Sequence, residues 1–228
     1  MAWLVHLLRS SIGKKYVVGA MGFLLCLYLM VHLFGNLMVY GGQEWFNTYA
    51  ETLESLPGLI LIELGLAAIF LIHILFALWV TWGNWRSAGT VAGRYAVMAT
   101  KGEKDVANTT MIYSGALTIA FLILHVLNVR FDAALIGGGE PRYGLYGTLV
   151  FLFKHAWYSA FYIVCMIVLG AHLWHGVQSV PRTFGFQHPK YFPLILKFSK
   201  IFAVVMALGF SSIPLYVMFG LPEWEEYQ

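Results

Sequence analysis

The chain has 228 residues, of which 60% are hydrophobic, 17% aromatic and only 11% charged, with a formal net charge of +3. That balance excludes a water-soluble domain of ordinary composition, and without interleaved basic and aromatic residues it excludes a nucleic-acid binder as well. What remains is a protein whose main solvent is lipid.

In chain order, Arg9, Lys14 and Lys15 precede a first apolar run from Tyr16 to about Tyr40. A secretory signal begins in the same way, but this run is too long and lacks a small-residue cleavage site, so it reads as a span that stays. Gly41-Gly42 ends it, and after Pro57-Gly58 the second run extends from Leu59 to Trp82. The third covers Met111 to Val129, in a helix expected over about 108–130. The Gly137-Gly138-Gly139 turn leads to the fourth, Leu149 to Val180, which Pro181 closes. The fifth runs from Ile201 to Leu221, in a helix expected over about 194–221. Each is long enough to cross a hydrocarbon core about 30 Å thick. Backbone in lipid must satisfy its own hydrogen bonds, and these runs are too long and too evenly apolar for barrel strands, so all five are expected as helices. The expected fold is all-α, a single transmembrane domain over residues 1–228 built as a five-helix bundle. Cys26 and Cys165 fall inside spans as small hydrophobes, and no disulfide is expected.

Eleven of the fourteen basic residues (Arg9, Lys14, Lys15, Arg86, Arg94, Lys101, Lys104, Arg182, Lys190, Lys197 and Lys200) fall in the N-terminal tail and the links after the second and fourth spans. The other side has Arg130, Arg142 and Lys154, among Glu44, Glu51, Glu54, Asp132, Glu140, Glu223, Glu225 and Glu226. By the positive-inside rule the N-terminus is cytoplasmic and the C-terminus outside.

Five histidines lie within the spans: His32, His73, His125, His172 and His175. Ionisable groups at membrane depth are costly and tend to be functional. A neutral imidazole bonded to a neighbouring carbonyl accounts for any one of them; their depths point to something collective. At about 1.5 Å per residue, His32 lies roughly 24 Å from the inner surface, and His125 on the third span reaches a similar level. His73 and His172 run in the opposite sense and lie roughly 14 Å above the inner surface. Two imidazoles at one depth on different helices can ligate a single iron from both faces of a porphyrin, so two pairs imply two b-type haems held between helices one to four. A bare zinc or di-metal centre would need further Glu, Asp or Cys at those levels, and the spans supply none there. His175 stands one turn from His172 on the same face, and spacing alone does not separate them; depth favours His172, with His175 as a propionate partner or a donor behind the ligand. His155, beside Lys154 near the outer end of the fourth span, suits an interfacial residue as well as a quinone contact. Gly19, Gly22, Gly35, Gly170 and Gly176 leave room for a planar ring or for close helix contact.

The stretch Ser11-Ile12-Gly13-Lys14-Lys15 and the following His32-Leu33-Phe34-Gly35-Asn36-Leu37, with His172-Leu173-Trp174-His175-Gly176, resemble the cytochrome b subunit of succinate dehydrogenases and fumarate reductases. The likeness is greatest to the five-helix, two-haem b558-type anchor of bacteria and covers essentially the whole chain. It implies axial ligands at His32 and His125 for an outer haem and at His73 and His172 for an inner one. It also implies flavoprotein and iron-sulfur subunits on the cytoplasmic side, and electron exchange with membrane quinone, commonly menaquinone, in complex II of the tricarboxylic acid cycle. Ser11 and Lys15 resemble in type the residues lining a quinone pocket in related anchors. Glu63, the one acid inside a span, suits proton relay to a quinone or an interfacial role. No acid stands beside His172, where some two-haem relatives carry a glutamate. Arg86, Arg94 and Arg182 suit inner-haem propionates, the iron-sulfur subunit or simple anchoring.

Two other readings compete. One is the cytochrome b subunit of a hydrogenase, formate dehydrogenase or nitrate reductase, where histidines are distributed differently over the helices. The other is a haem-free transporter or scaffold, which would be colourless and would ordinarily show broken helices and several intramembrane acids.

Overall fold

A computed structural model of the chain describes residues 6, 10–88, 106–131 and 144–221. Arg9, Arg94, Lys101, Lys104, Asp132, the Gly137-Gly138-Gly139 turn, Glu140, Arg142, Glu223, Glu225 and Glu226 lie outside those residues. Regular structure among the described residues is entirely helical: α1 (Ser11–Asn36), a 3-10 turn (Leu37–Gly41), α2 (Gln43–Glu54), α3 (Leu59–Ala88), α4 (Val106–Val129), α5 (Gly144–Lys154), α6 (Ala156–Thr183) and α7 (Phe192–Gly220). Five stretches are long and apolar enough to span a bilayer, namely Ser11–Gly41, Leu59–Arg86, Met111–Val129, Ala156–Thr183 and Phe192–Gly220. The chain is a multi-pass helical membrane protein. α3 makes the point most directly: Ile60, Leu61, Ile62, Leu64, Leu71, Leu75 and Leu78 all lie exposed, and a helix apolar on every side is stable there only against lipid.

The helices depart from the expected pattern in three places, one of which is that Pro181, expected to close the fourth span, lies inside α6, which runs on to Thr183. The link between the first and second spans contains α2, an amphipathic helix whose Phe46 is buried against Tyr146 at 6.1 Å while its neighbour Trp45 is exposed. Tyr49, one turn on from Phe46, rests against α1 where a Cβ at Gly35 would come within 2.5 Å of its hydroxyl. The third departure is also in the fourth span, where the expected helix over 149–180 is divided into α5 and α6 at His155. The tightened turn there has the His155 N–H bonded to the Leu152 carbonyl at 3.3 Å, and two side chains take up neighbouring carbonyls. The His155 ring donates from Nδ1 to the Phe151 carbonyl at 2.9 Å, and the fully buried Ser159 donates from Oγ to the Phe153 carbonyl at 2.6 Å. A break inside an apolar segment is tolerated because these donors replace the lost ladder bonds. His155 is therefore engaged with its own helix at this break.

The described residues sort into two compact units, each assembled from separated stretches of chain. Unit 1 draws on Met1–Tyr28, Ile60–Ile112 and His172–Lys200, and unit 2 on Leu29–Leu59, Tyr113–Ala171 and Ile201–Gln228. The core of unit 2 is formed by Val39, Phe46, Tyr146, Val150, Phe153, Tyr158, Tyr162, Ile213 and Val217. Within it Asn47 of α2 caps α5: its Oδ1 accepts the Tyr146 N–H at 2.9 Å, one of the donors a helix start leaves unpaired. Gly144, with φ of +63°, permits that approach, since a Cβ there would stand 2.8 Å from the Asn47 amide nitrogen. Lys154 ends α5 by donating to the Leu221 carbonyl at 2.8 Å. In unit 1 cations lie on aromatic faces, with Lys14 4.0 Å from the Trp79 ring centre and Arg182 4.4 Å from that of Phe192.

Candidate functional site: two histidine pairs

His32 and His125 both belong to unit 2, and His73 and His172 both to unit 1. All four are half-buried, on α1, α4, α3 and α6 respectively.

In unit 2 the rings of His32 and His125 stand with centroids 5.9 Å apart and planes at 85°. The His32 ring lies against Phe210 at 5.7 Å. One turn on, Asn36 donates its amide to the His32 carbonyl at 2.8 Å. The His125 ring stacks on Phe121 at 5.6 Å with planes 24° apart, and its Nδ1 lies 3.1 Å from the Tyr162 hydroxyl. Fixing one ring nitrogen by an outer hydrogen bond is how proteins aim the other at a metal.

In unit 1 the main chain does the equivalent work. His73 Nδ1 lies 3.1 Å from the Val18 carbonyl of α1. A carbonyl only accepts, so Nδ1 carries the proton and Nε2 keeps its lone pair. One turn on from Val18, Gly22 makes space for the ring, since a Cβ there would come 3.2 Å from His73 Cε1. His172 lies within electrostatic reach of both His73 and His175.

His172 and His175, inseparable by spacing, differ in what surrounds them. Ser179 donates its single hydrogen to the His175 carbonyl at 2.8 Å, while its Oγ lies 3.1 Å from His175 Nε2. With that hydrogen used, Oγ must accept, so His175 Nε2 is a protonated donor directed at Ser179. This leaves His172 as the member of the two whose ring is not held by Ser179.

The remaining sequence candidates sit apart from these rings in role. Ser11 and Lys15 are exposed at the start of α1, and the cap there is Ser10, whose Oγ accepts the Gly13 N–H at 2.9 Å. Glu63 is half-buried in unit 1. Of the glycines, Gly22 serves a histidine, Gly35 admits Tyr49, Gly19 faces Phe184 at 3.5 Å, and Gly170 allows close packing against Ala207 at 3.0 Å. A Cβ at Gly176 would meet nothing within 4 Å.

Sequence reasoning passed over Asn128, Tyr158 and Tyr162, all buried in unit 2. Asn128 donates to the Tyr158 hydroxyl at 2.9 Å, and Tyr158 donates to the Tyr162 hydroxyl at 3.1 Å. A signal was present: Asn128 follows His125 by three residues and Tyr162 follows Tyr158 by four, so each pair shares one face of an apolar helix.

Among the described residues no group of three or more His, Cys, Asp or Glu is placed to hold a bare metal ion. An axial donor set for a porphyrin needs only two imidazoles. In comparisons with known proteins, no family model, no curated protein and no solved structure matches this chain.

Proposed function

We propose that this chain is the di-haem cytochrome b membrane anchor of a succinate:quinone oxidoreductase, working either as succinate dehydrogenase or as fumarate reductase. The single observation that carries the reading is the His32–His125 geometry. A metal-bound imidazole nitrogen sits about 2 Å from a first-row metal, so rings on opposite faces of one iron have centroids roughly 6 Å apart. The two rings stand at 5.9 Å, each from its own membrane-spanning helix. A donor set of two imidazoles and no thiolate or carboxylate suits haem b.

The residues that would hold the groups are His32 and His125 for one haem and His73 and His172 for the other. Bound there, the haems supply one-electron stations at membrane depth. The protein's own contribution is orientation: Val18 and Gly22 set the His73 ring, Phe121 and Tyr162 set His125, and Ser179 occupies His175 Nε2. In this reading the lysine- and arginine-rich side is cytoplasmic in a bacterial inner membrane and receives the flavoprotein and iron-sulfur partners, and electrons are exchanged with quinone.

The test is a reduced-minus-oxidised spectrum of the purified protein with a haem-to-protein ratio. A b-type spectrum at about two haems per chain is expected from two bis-imidazole sites. A colourless protein after expression with ample haem supply overturns the proposal. Recovery of a flavoprotein and a ferredoxin-like subunit with the tagged chain separates complex II from the other respiratory cytochromes b.

A further inference from the structure

We infer that Asn128, Tyr158 and Tyr162 form a hydrogen-bond chain that positions His125 for ligation through Nε2, and that the chain reverses its direction when the histidine takes up iron. The inference rests on the functional reading above.

Three links join four side chains: Asn128 Nδ2 to the Tyr158 hydroxyl at 2.9 Å, Tyr158 to the Tyr162 hydroxyl at 3.1 Å, and the Tyr162 hydroxyl to His125 Nδ1 at 3.1 Å. Each phenol has one hydrogen to give. With Asn128 donating, the hydrogens run outward in order, and the last is given by Tyr162 to His125 Nδ1. A neutral imidazole that accepts at Nδ1 carries its proton on Nε2, which is the wrong tautomer for a metal ligand. Ligation through Nε2 requires that nitrogen to release its proton to solvent and Nδ1 to take one up, so His125 must donate to Tyr162, Tyr162 to Tyr158, and Tyr158 to a terminal acceptor, with one proton on the imidazole and on each phenol before and after.

Asn128 can be that acceptor. It is 3% exposed, and its Oδ1 is buried without a hydrogen-bond partner among the described residues. A carboxamide carries a donor and an acceptor of nearly equal size, so turning it over presents Oδ1 to Tyr158 without moving any other heavy atom. A hydroxyl-free apolar residue could end the chain in neither sense. No member need ionise in either direction, which suits a segment surrounded by lipid.

Accepting from Nδ1–H makes an imidazole a stronger electron donor to its metal and favours the oxidised state. Tyr162→Phe keeps the ring and removes only the oxygen. In the purified full-length protein, Y162F is expected to keep two haems while one of the two reduction potentials rises and one low-spin electron paramagnetic resonance signal changes. Tyr158→Phe should move the same haem in the same direction by less. Because Tyr158 acts through Tyr162, the double variant should match Y162F alone. Selective loss of one haem from Y162F is the same effect carried further, and Y158F then provides the potential measurement. Unchanged potentials and signals in both single variants, or a Y158F shift that persists in the Y162F background, overturn the inference while leaving two haems, and so the functional reading, in place. A wild-type protein without haem overturns the functional reading instead, and this inference with it.

Discussion

The two histidine pairs are supported by different materials, and the difference bears on how each can be altered. In unit 1 the His73 ring is held by a backbone carbonyl and by the space at Gly22. In unit 2 the His125 ring is held by a ring stack and a phenol, with two further side chains behind it. A main-chain acceptor survives substitution at its own residue, whereas a phenolic partner disappears with a single oxygen atom. The support of His73 is therefore indifferent to side-chain substitution at Val18, and that of His125 is open to it at Tyr162.

The largest effects come from removing the donors themselves. His73→Ala or His172→Ala should lose the unit 1 haem and keep the other, and His32→Ala or His125→Ala the reverse, read as a fall from about two haems per chain to about one. Equal loss of both haems in all four variants breaks the pairing. A sharper comparison sets Gly22→Leu against Val18→Ala. The leucine places atoms where the His73 ring lies, 3.2 Å from the position of its Cβ, and should strip the unit 1 haem alone. Val18→Ala keeps the carbonyl and should retain both haems; if it too loses one, the backbone is not the support. The smallest effect belongs to the helix break in unit 2. Ser159→Ala leaves the Phe153 carbonyl without its donor, an unsatisfied group worth about 1–3 kcal/mol. Thermal unfolding in detergent should shift downward while the haem spectrum stays unchanged, and an unaltered midpoint would mean that another donor takes over that carbonyl.

Much of this was legible beforehand, for identifiable reasons. The spans announce themselves because lipid imposes a length and a composition on any helix that crosses it. The four histidines stood out because ionisable groups are rare at that depth. What stayed hidden depends on neighbours. α2 has Phe46 and Tyr49 one turn apart, but nothing local says that Tyr146 and Gly35 await them. The interruption at His155 involves no proline or glycine; it persists because Ser159 and the histidine ring reach back to carbonyls four to six residues behind them. His172 and His175 were equivalent by spacing, and Ser179, one further turn along, distinguishes them only once its single hydrogen is assigned.

The placement of the four histidines along the chain also imposes a timetable on biosynthesis. His32 and His125 lie on α1 and α4, so both are in the membrane as soon as the third span has left the ribosome and inserted. His73 must wait for His172 on α6, the fourth span to emerge. A growing polypeptide therefore gains one complete donor pair before the other, although Tyr158 and Tyr162 reach the earlier pair only with that same later helix. Under the proposed function, haem capture during translation would begin at a pair whose neighbouring tyrosines arrive afterwards.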